Sequence, residues 1–276
     1  MGTSRLTFPS SEGLRFSLVG VPVLNYHGLT PNEAPFRTKD ARYWVSENSF
    51  LEHLRHIAAC GCTVFLAEAL LHASSDQAKG ALATALTFDD GRVCDYETAF
   101  PMLLGARLPA TFFVNTATIN TPGYLTWLQL REMRRAGMSV QSHSHDHTDL
   151  ARLSASQLDY QLRRSKTEIE DGLGSEVTLL ALPYGSMGVN TLTAARSVGY
   201  RAICSSRGGL ARSSSAVIDR VCVYRDTTLR QFSAILRRSP AFFGKKACRA
   251  ALMGVPKQIA FSVFPSWVDG WRKRHE

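Results

Sequence analysis

Short strand-like runs alternate with helix-like segments along most of this 276-residue chain. Eight runs are typical of strands: VPVLNY, TVFL, TALTF, ATFFV, MSVQS, TLLAL, YRAIC and AVIDRVCV. Repeated strand–helix units predict an α/β fold built on a mainly parallel sheet. The central runs are apolar on both faces, as buried parallel strands are. The pattern leaves both an open, doubly wound sheet and a closed barrel possible.

Helix starts are predicted where a capping residue precedes a helix-like segment. Ser49 and Glu52 form a capping box that predicts a helix ending at Gly61, and Ser154 opens a second capping box. Thr126 and Thr228 are further expected caps. These starts divide the chain into units of one strand and one helix each.

Polar side chains cluster directly after four of the strand-like runs. His27 follows VPVLNY, Asp89 and Asp90 follow TALTF, the segment HSHDH (143–147) follows MSVQS, and Tyr184 follows TLLAL by two residues. Because the carboxyl ends of parallel strands face one rim, the four segments are expected to converge there.

The histidine segment and the aspartate pair together predict a metal site. His143 and His147 are four residues apart, so both imidazoles can point at one ion. Two histidines and one carboxylate with an open position form a catalytic arrangement, since structural zinc sites close with four protein ligands. One aspartate can therefore be a ligand, while the other is free to act as a general base towards the bound water.

The motifs LTFDDG, His-Ser-x-x-His and LPYG, in this order, resemble those of the NodB-homology polysaccharide deacetylases, carbohydrate esterase family 4. The resemblance runs from about residue 84 to residue 225 and includes PATFFV and GYRA. The early VPVLNYHG is similar to the opening of the subgroup that deacetylates poly-N-acetylglucosamine and related exopolysaccharides.

The resemblance implies a distorted, incomplete (β/α) barrel that hydrolyses an N-acetyl group of an amino sugar. It implies that Asp89 is the general base and that Asp90, His143 and His147 hold one divalent metal, usually Zn2+. The backbone N–H of Tyr184 would stabilise the oxyanion.

Two positions depart from the pattern of the family. Many members carry an arginine that orients the base two residues before the proline, where this chain has Ala181; Arg220 is the predicted substitute. Many members also use a late histidine as general acid, but this chain has none between His147 and His275. We therefore predict His27 as the acid that protonates the leaving amine, while a strand-end cap is its alternative role.

The expected organisation is an N-terminal extension (1–20), a deacetylase domain (21–236) and a basic-aromatic tail (237–276). The net charge of +9 is concentrated in the tail, where nine basic and two acidic residues leave about +2 for the rest. Such a tail suits either an interfacial segment on an anionic membrane or a final helix with a solvated basic face. Nucleic acid is not an expected partner, because the nearly neutral body carries no recognition motif.

The expected location is cytoplasmic, with a peripheral position on the inner membrane face as the alternative, because no signal-like apolar segment and no run of about 18 apolar residues is seen. The expected substrate is an acetylated amino-sugar polysaccharide or a lipid-linked glycan intermediate. Two alternatives stay open: a non-catalytic carbohydrate-binding relic of the fold, and a deformylase of a lipid-linked aminosugar.

Overall fold

The computed structural model describes residues 19–31, 40–72 and 82–244 of the chain. The strands are β1 Val19–Val21, β2 Val23–Tyr26, β3 Gly28–Thr30, β4 Trp44–Ser46, β5 Thr63–Phe65, β6 Ala83–Phe88, β7 Thr111–Val114, β8 Ser139–Ser142, β9 Leu179–Ala181, β10 Ala202–Cys204, β11 Ala211–Arg212, β12 Val217–Ile218 and β13 Val221–Cys222. The α-helices are α1 Glu47–Ala59, α2 Phe100–Ala106, α3 Trp127–Arg135, α4 Ala155–Leu173, α5 Thr191–Val198 and α6 Leu229–Leu236.

Nine strands form one parallel sheet in the order β12-β10-β9-β8-β7-β6-β2-β13, with β5 pairing the first half of β6. The second half of β6 pairs β7 instead, with Thr87 opposite Thr111. Two small sheets lie outside it: β1 pairs β11 antiparallel, and β3 pairs β4 parallel. Most of the sheet therefore follows chain order, as successive strand–helix units require.

The two ends of this sheet are tied together by the chain itself. Strands β12 and β13 lie at opposite ends of the strand order, yet only Asp219 and Arg220 separate them. Three Cα–Cα steps span at most about 11 Å, so the sheet has to curl until its ends approach each other. The predicted incomplete (β/α) barrel is confirmed, and the open doubly wound sheet is wrong.

The two faces of the curled sheet bury different side chains. One face carries a cluster of mostly small apolar residues: Val21, Val23, Phe65, Ala67, Leu70, Ala83, Ala85, Phe113, Leu179, Ala181, Ala202, Cys204, Ala211 and Ile218. On the other face Tyr26 and Phe112 stack on either side of Phe88, at ring distances of 5.3 and 4.8 Å, and Phe50 of α1 packs edge-on against Phe88. Small residues on the first face leave room for the polar side chains described below.

The structure confirms most of the predicted caps and corrects one. Thr126, Ser154 and Thr228 each form a complete capping box. Helix α1 begins earlier than predicted, because its N-cap is Ser46, whose side chain accepts the backbone N–H of Ser49. Ser46 also ends β4 in extended backbone, so the chain already changes conformation there.

The described residues belong to two units, one within residues 1–238 and one within 239–276. Val19 and Gly20, assigned above to an extension, contribute to β1. The tail prediction falls almost wholly outside the described residues, which stop at 244. Within the part of the chain that the structure covers, no helix is long and apolar enough to cross a bilayer.

Candidate active site

A cavity of about 380 Å3 opens at the carboxyl ends of the parallel strands. The four polar segments that follow β2, β6, β8 and β9 meet there. The lining residues are His27, Asp40, Tyr43, Trp44, Asp89, Asp90, Arg92, His143, His147, Leu182, Tyr184, Gly185, Ser206 and Cys222. Six of the seven residues selected from the sequence line this cavity, and the seventh, Arg220, lies beneath it against Asp89.

Asp90, His143 and His147 present one ligand atom each to a common point. Asp90 Oδ1 lies 3.6 Å from His143 Nε2 and 3.4 Å from His147 Nε2, and the three ligand atoms lie within 4.8 Å of one another. His143 Nδ1 lies 3.0 Å from the carbonyl oxygen of Ala181, which fixes the tautomer with Nε2 free to ligate.

The donor set fits a small divalent cation. Asp90 Oδ1 is buried and has no hydrogen-bond partner within the described structure. Its two distances to the imidazoles match the edges of a tetrahedron around an ion with ligand bonds of about 2.0–2.2 Å. Two imidazoles and one carboxylate are also ligands that zinc accepts in catalytic sites.

Four non-glycine residues of this rim adopt left-handed backbone. The φ angles are 79° at Asp90, 69° at Ser144, 63° at His147 and 59° at Tyr184. Such conformations cost about 1–3 kcal/mol each and persist where the surroundings over-determine them. Here the His147 N–H donates to Ser144 Oγ at 3.2 Å, which locks the histidine turn.

Asp89 is held by a two-point ion pair. Arg220 Nη1 and Nη2 donate to its two oxygens at 2.7 and 2.8 Å, and the side-chain amide of Asn25 adds a bond of 3.0 Å. Burial alone would raise the pKa of Asp89, but Arg220 and His143 outweigh it and hold the pKa below its ordinary value. Asp89 is therefore a carboxylate at neutral pH.

Arg220 comes from the seam of the barrel, between β12 and β13, and is fully buried. Its Nε donates to the carbonyl oxygen of Ser205 at 3.1 Å, and its guanidinium lies 5.1 Å from the centre of the Phe113 ring. The structure thus places an arginine beside Asp89 although position 181 is a fully buried alanine.

His27 lies at the edge of the cavity, next to Asp89. Its Nε2 is 3.9 Å from Asp89 Oδ2, and its ring centre is 4.7 Å from that of Tyr43. Nδ1 is buried and has no hydrogen-bond partner within the described structure, so this nitrogen does not form the strand-end cap considered above. Burial lowers the pKa of His27, while Asp89 and Asp90 partly oppose that shift.

Tyr184 lies on the opposite side of the cavity, in the turn after Pro183. The residue is 74% exposed, and its ring meets the ring of His147 edge-on at 4.8 Å. The left-handed backbone of Tyr184 aims its peptide in a direction that ordinary helical or extended backbone would not.

Four contributors to the site were not predicted from the sequence. Asn25 holds Asp89, Arg92 contacts Asp90, and Tyr43 and Trp44 form one wall. Arg92 directly follows the DDG motif and could have been selected from that position. The wall residues belong to no motif, because the short β3–β4 pair brings them to the rim.

Comparison with known proteins gives concordant matches. Residues 76–203 match the family model for polysaccharide deacetylase. YxkH of Bacillus subtilis (strain 168), which bears the name of a polysaccharide deacetylase, is 28% identical over 192 residues, covering 69% of this chain and 66% of its own length. The poly-beta-1,6-N-acetyl-D-glucosamine N-deacetylase of Staphylococcus aureus (strain MRSA252) is 23% identical over 176 residues, 58% of this chain and 59% of its own.

Among solved structures, the Streptococcus pyogenes deacetylase PplD in complex with acetate aligns with a TM-score of 0.73 at 24% identity, covering 79% of this chain and 98% of that one. This likeness shows that the fold is shared. The chain spans 66% and 59% of the lengths of the two curated relatives described above, less than two thirds in each case. The motifs, the curled parallel barrel and the matched region agree: residues 76–203, just under half of the chain, match the polysaccharide deacetylase family, and the chain shares the fold of a solved deacetylase.

Proposed function

We propose that this protein is a metal-dependent hydrolase that removes N-acetyl groups from an amino-sugar glycan. The observation that carries the proposal is the pairing, in one cavity, of a three-ligand set with a separate buried carboxylate. Asp90, His143 and His147 form the ligand set, and Asp89 is held apart from it by Arg220. A binding-only relic of the fold has no physical need to keep a charged base in this position, so the geometry favours catalysis.

The proposed reaction adds water to the acetyl carbon, breaks the carbon–nitrogen bond and releases acetate and the free amine. A divalent cation, which we propose is Zn2+, would supply Lewis-acid polarisation of the acetyl oxygen and a lowered pKa for water. Asp89 accepts the proton of the attacking water, because it is ionised and faces the cavity. The backbone N–H of Tyr184 donates to the developing oxyanion.

His27 is the proposed donor of the proton that the leaving amine needs. His27 Nε2 lies 3.9 Å from Asp89 Oδ2, so the proposed acid and the proposed base are neighbours in the cavity. The burial that lowers the pKa of His27 makes it a stronger acid than free imidazole.

The proposed substrate class is an acetylated amino-sugar polysaccharide or its lipid-linked intermediate. The substrate in the name of the staphylococcal relative, poly-beta-1,6-N-acetyl-D-glucosamine, supports an acetylated amino sugar. The charge pattern of residues 237–276 supports the lipid-linked form, acted on at the inner face of a membrane. Sedimentation of the full chain with anionic and with neutral vesicles tests the proposed membrane contact. Equal recovery of the protein with both kinds of vesicle would contradict it.

The test of the function measures bound metal by mass spectrometry together with acetate release from N-acetylglucosamine oligomers. We compare the wild type with Asp89→Asn, and with Asp159→Asn on the half-exposed face of α4 as the matched control. One bound metal in all three proteins, with acetate lost only in Asp89→Asn, is the expected result. Acetate release that survives Asp89→Asn would contradict the role of the base. Formate release from a formylated aminosugar, without acetate release, would favour the deformylase instead.

A further inference from the structure

The two oxygens of Asp90 have different partners. Oδ1 faces His143 and His147, and it is buried with no hydrogen-bond partner among the described residues. Oδ2 lies on the other side of the carboxylate, where Arg92 Nε and Nη2 both approach it, at 3.3 and 3.2 Å. One guanidinium edge therefore occupies one oxygen and leaves the other to the ligand cluster.

Arg92 is held in this position although its side chain is 29% exposed. Its backbone lies between two hydrogen bonds to the neighbouring loop, from Leu125 N to Gly91 O and from Val93 N to Gly123 O, both at 2.9 Å. Its guanidinium also lies 5.1 Å from the ring centre of Trp44. Backbone pairing and a cation–π contact thus restrict the arginine without any help from substrate.

The position of this contact determines how Asp90 can bind an ion. An aspartate can offer one oxygen or both, and turning Oδ2 towards the histidines would break both contacts with Arg92. A carboxylate fixed through its outer oxygen keeps its direction, as outer partners of metal ligands do. Coordination by one oxygen also leaves positions open for water and for the acetyl oxygen.

We propose that Arg92 is a positioning residue that keeps Asp90 a one-oxygen metal ligand and so preserves the open coordination positions of the site. The inference rests on the metal-dependent function proposed above. It differs from the part assigned to Arg220, because Arg220 acts on the base and Arg92 acts on the ligand.

The test compares wild type with Arg92→Gln and Arg92→Lys, and with Arg163→Gln on the exposed face of α4 as control. Zinc affinity is measured by competition with a chromogenic chelator, and the visible spectrum is recorded for the Co2+-substituted proteins. We expect Arg92→Gln to weaken zinc binding by about 10–100-fold. We also expect its cobalt bands to lose intensity, because ions with five or six ligands absorb less than those with four.

The zinc affinity and cobalt band intensity of Arg92→Lys should lie between those of wild type and Arg92→Gln. Its ammonium keeps the charge but lacks the planar fork that places two N–H groups on one oxygen. Circular dichroism and thermal unfolding of each variant verify that the fold is retained. Zinc affinity within twofold of wild type, together with an unchanged cobalt spectrum in Arg92→Gln, overturns the proposal.

Acetate release is measured separately on the same proteins, so that the two proposals can fail independently. A wild type that binds metal but releases no acetate would refute the proposed function and leave the two metal measurements decisive for Arg92. A wild type that binds neither zinc nor cobalt would overturn both.

Discussion

Replacing Arg220 with methionine should destabilise the protein more than almost any other single change. Methionine fills much of the same space above Phe113 but leaves Asp89 buried without its cation. Two charge-assisted hydrogen bonds of about 1.5–3 kcal/mol each are lost. Removing one partner of a buried ion pair costs about 3–5 kcal/mol, which agrees with that count.

The expected loss is therefore about 3–5 kcal/mol in the free energy of unfolding at neutral pH. At about 2–4 °C per kcal/mol for a chain of this size, the melting temperature should fall by about 6–20 °C. Urea denaturation of chelator-treated protein gives the free energy, and calorimetry gives the melting temperature. Arg220→Lys is the matched control, because it keeps the charge but cannot donate to both oxygens, and its loss should be smaller.

The loss of stability in Arg220→Met should depend on pH. In the wild type the pKa of Asp89 is lowered, so the stability it contributes is present above the unfolded value of 3.8 and is lost as the pH falls through the folded value. In Arg220→Met burial is still opposed by His143 and His27, but the strongest opposing charge is gone, so the pKa of Asp89 rises and the stability that it contributes at neutral pH falls. The difference in stability between the two proteins should therefore shrink as the pH falls towards 3.8 and below.

A double-mutant cycle isolates the pair. Asp89→Asn alone leaves a buried guanidinium, so adding it to Arg220→Met should cost less than the two single changes taken together, by about 2 kcal/mol or more. A loss below 1 kcal/mol in Arg220→Met, or a loss that does not depend on pH, would refute the assignment of Arg220 as the partner that keeps Asp89 ionised.

Two further outcomes are expected. His27→Gln should lower kcat by about 10²–10⁴-fold with bound metal unchanged, and it should remove the alkaline limb of the pH–rate profile, because a proton donor fails once it is deprotonated. Burial lowers the pKa of His27, so in the wild type that limb should lie at or below the ordinary histidine value of 6.5; a limb that survives in His27→Gln would assign the acid elsewhere. Ser154→Ala removes the N-cap of α4 and should lower the free energy of unfolding by about 1 kcal/mol, measured by urea denaturation. Ser156→Ala, in the first turn of the same helix, is the control. An equal loss in both variants would contradict the assignment of Ser154 as the cap.

The strand–helix alternation was enough to predict the parallel sheet, because each strand and its cap are specified locally. Ser154 and Thr126 cap their helices through residues three positions away, so a short window contains the whole signal. A short window of sequence cannot distinguish a barrel from an open sheet. The distinction depends on β12 and β13 joining opposite ends of the sheet, and the pairing of β13 with β2 joins Val221 to Leu24, far apart in sequence.

The residues of the site also divide into those that the local sequence predicts and those that it does not. His143, His147 and Asp90 could be selected because their residue types and strand-end positions already suggest a metal. The position of Arg92 after the DDG motif is visible in the sequence, but its contact with the outer oxygen of Asp90 depends on one rotamer and on a loop that pairs with its backbone, which no sequence pattern shows. The prediction of Arg220 rested on the missing arginine at position 181.

The position of Arg220 links closure of the barrel to the ionisation of the proposed base. Its guanidinium donates to Asp89 after β6, to Asn25 of β2 and to the carbonyl oxygen of Ser205 after β10. These elements lie towards the two ends of the strand order, so one buried cation bridges the seam from inside. An arginine on β9 would hold the base from one side only, whereas Arg220 can reach Asp89 only while β12 and β13 keep their partners. It follows that a change that loosens the seam should release Asp89 from its cation and raise its pKa, even where no residue of the cavity is altered.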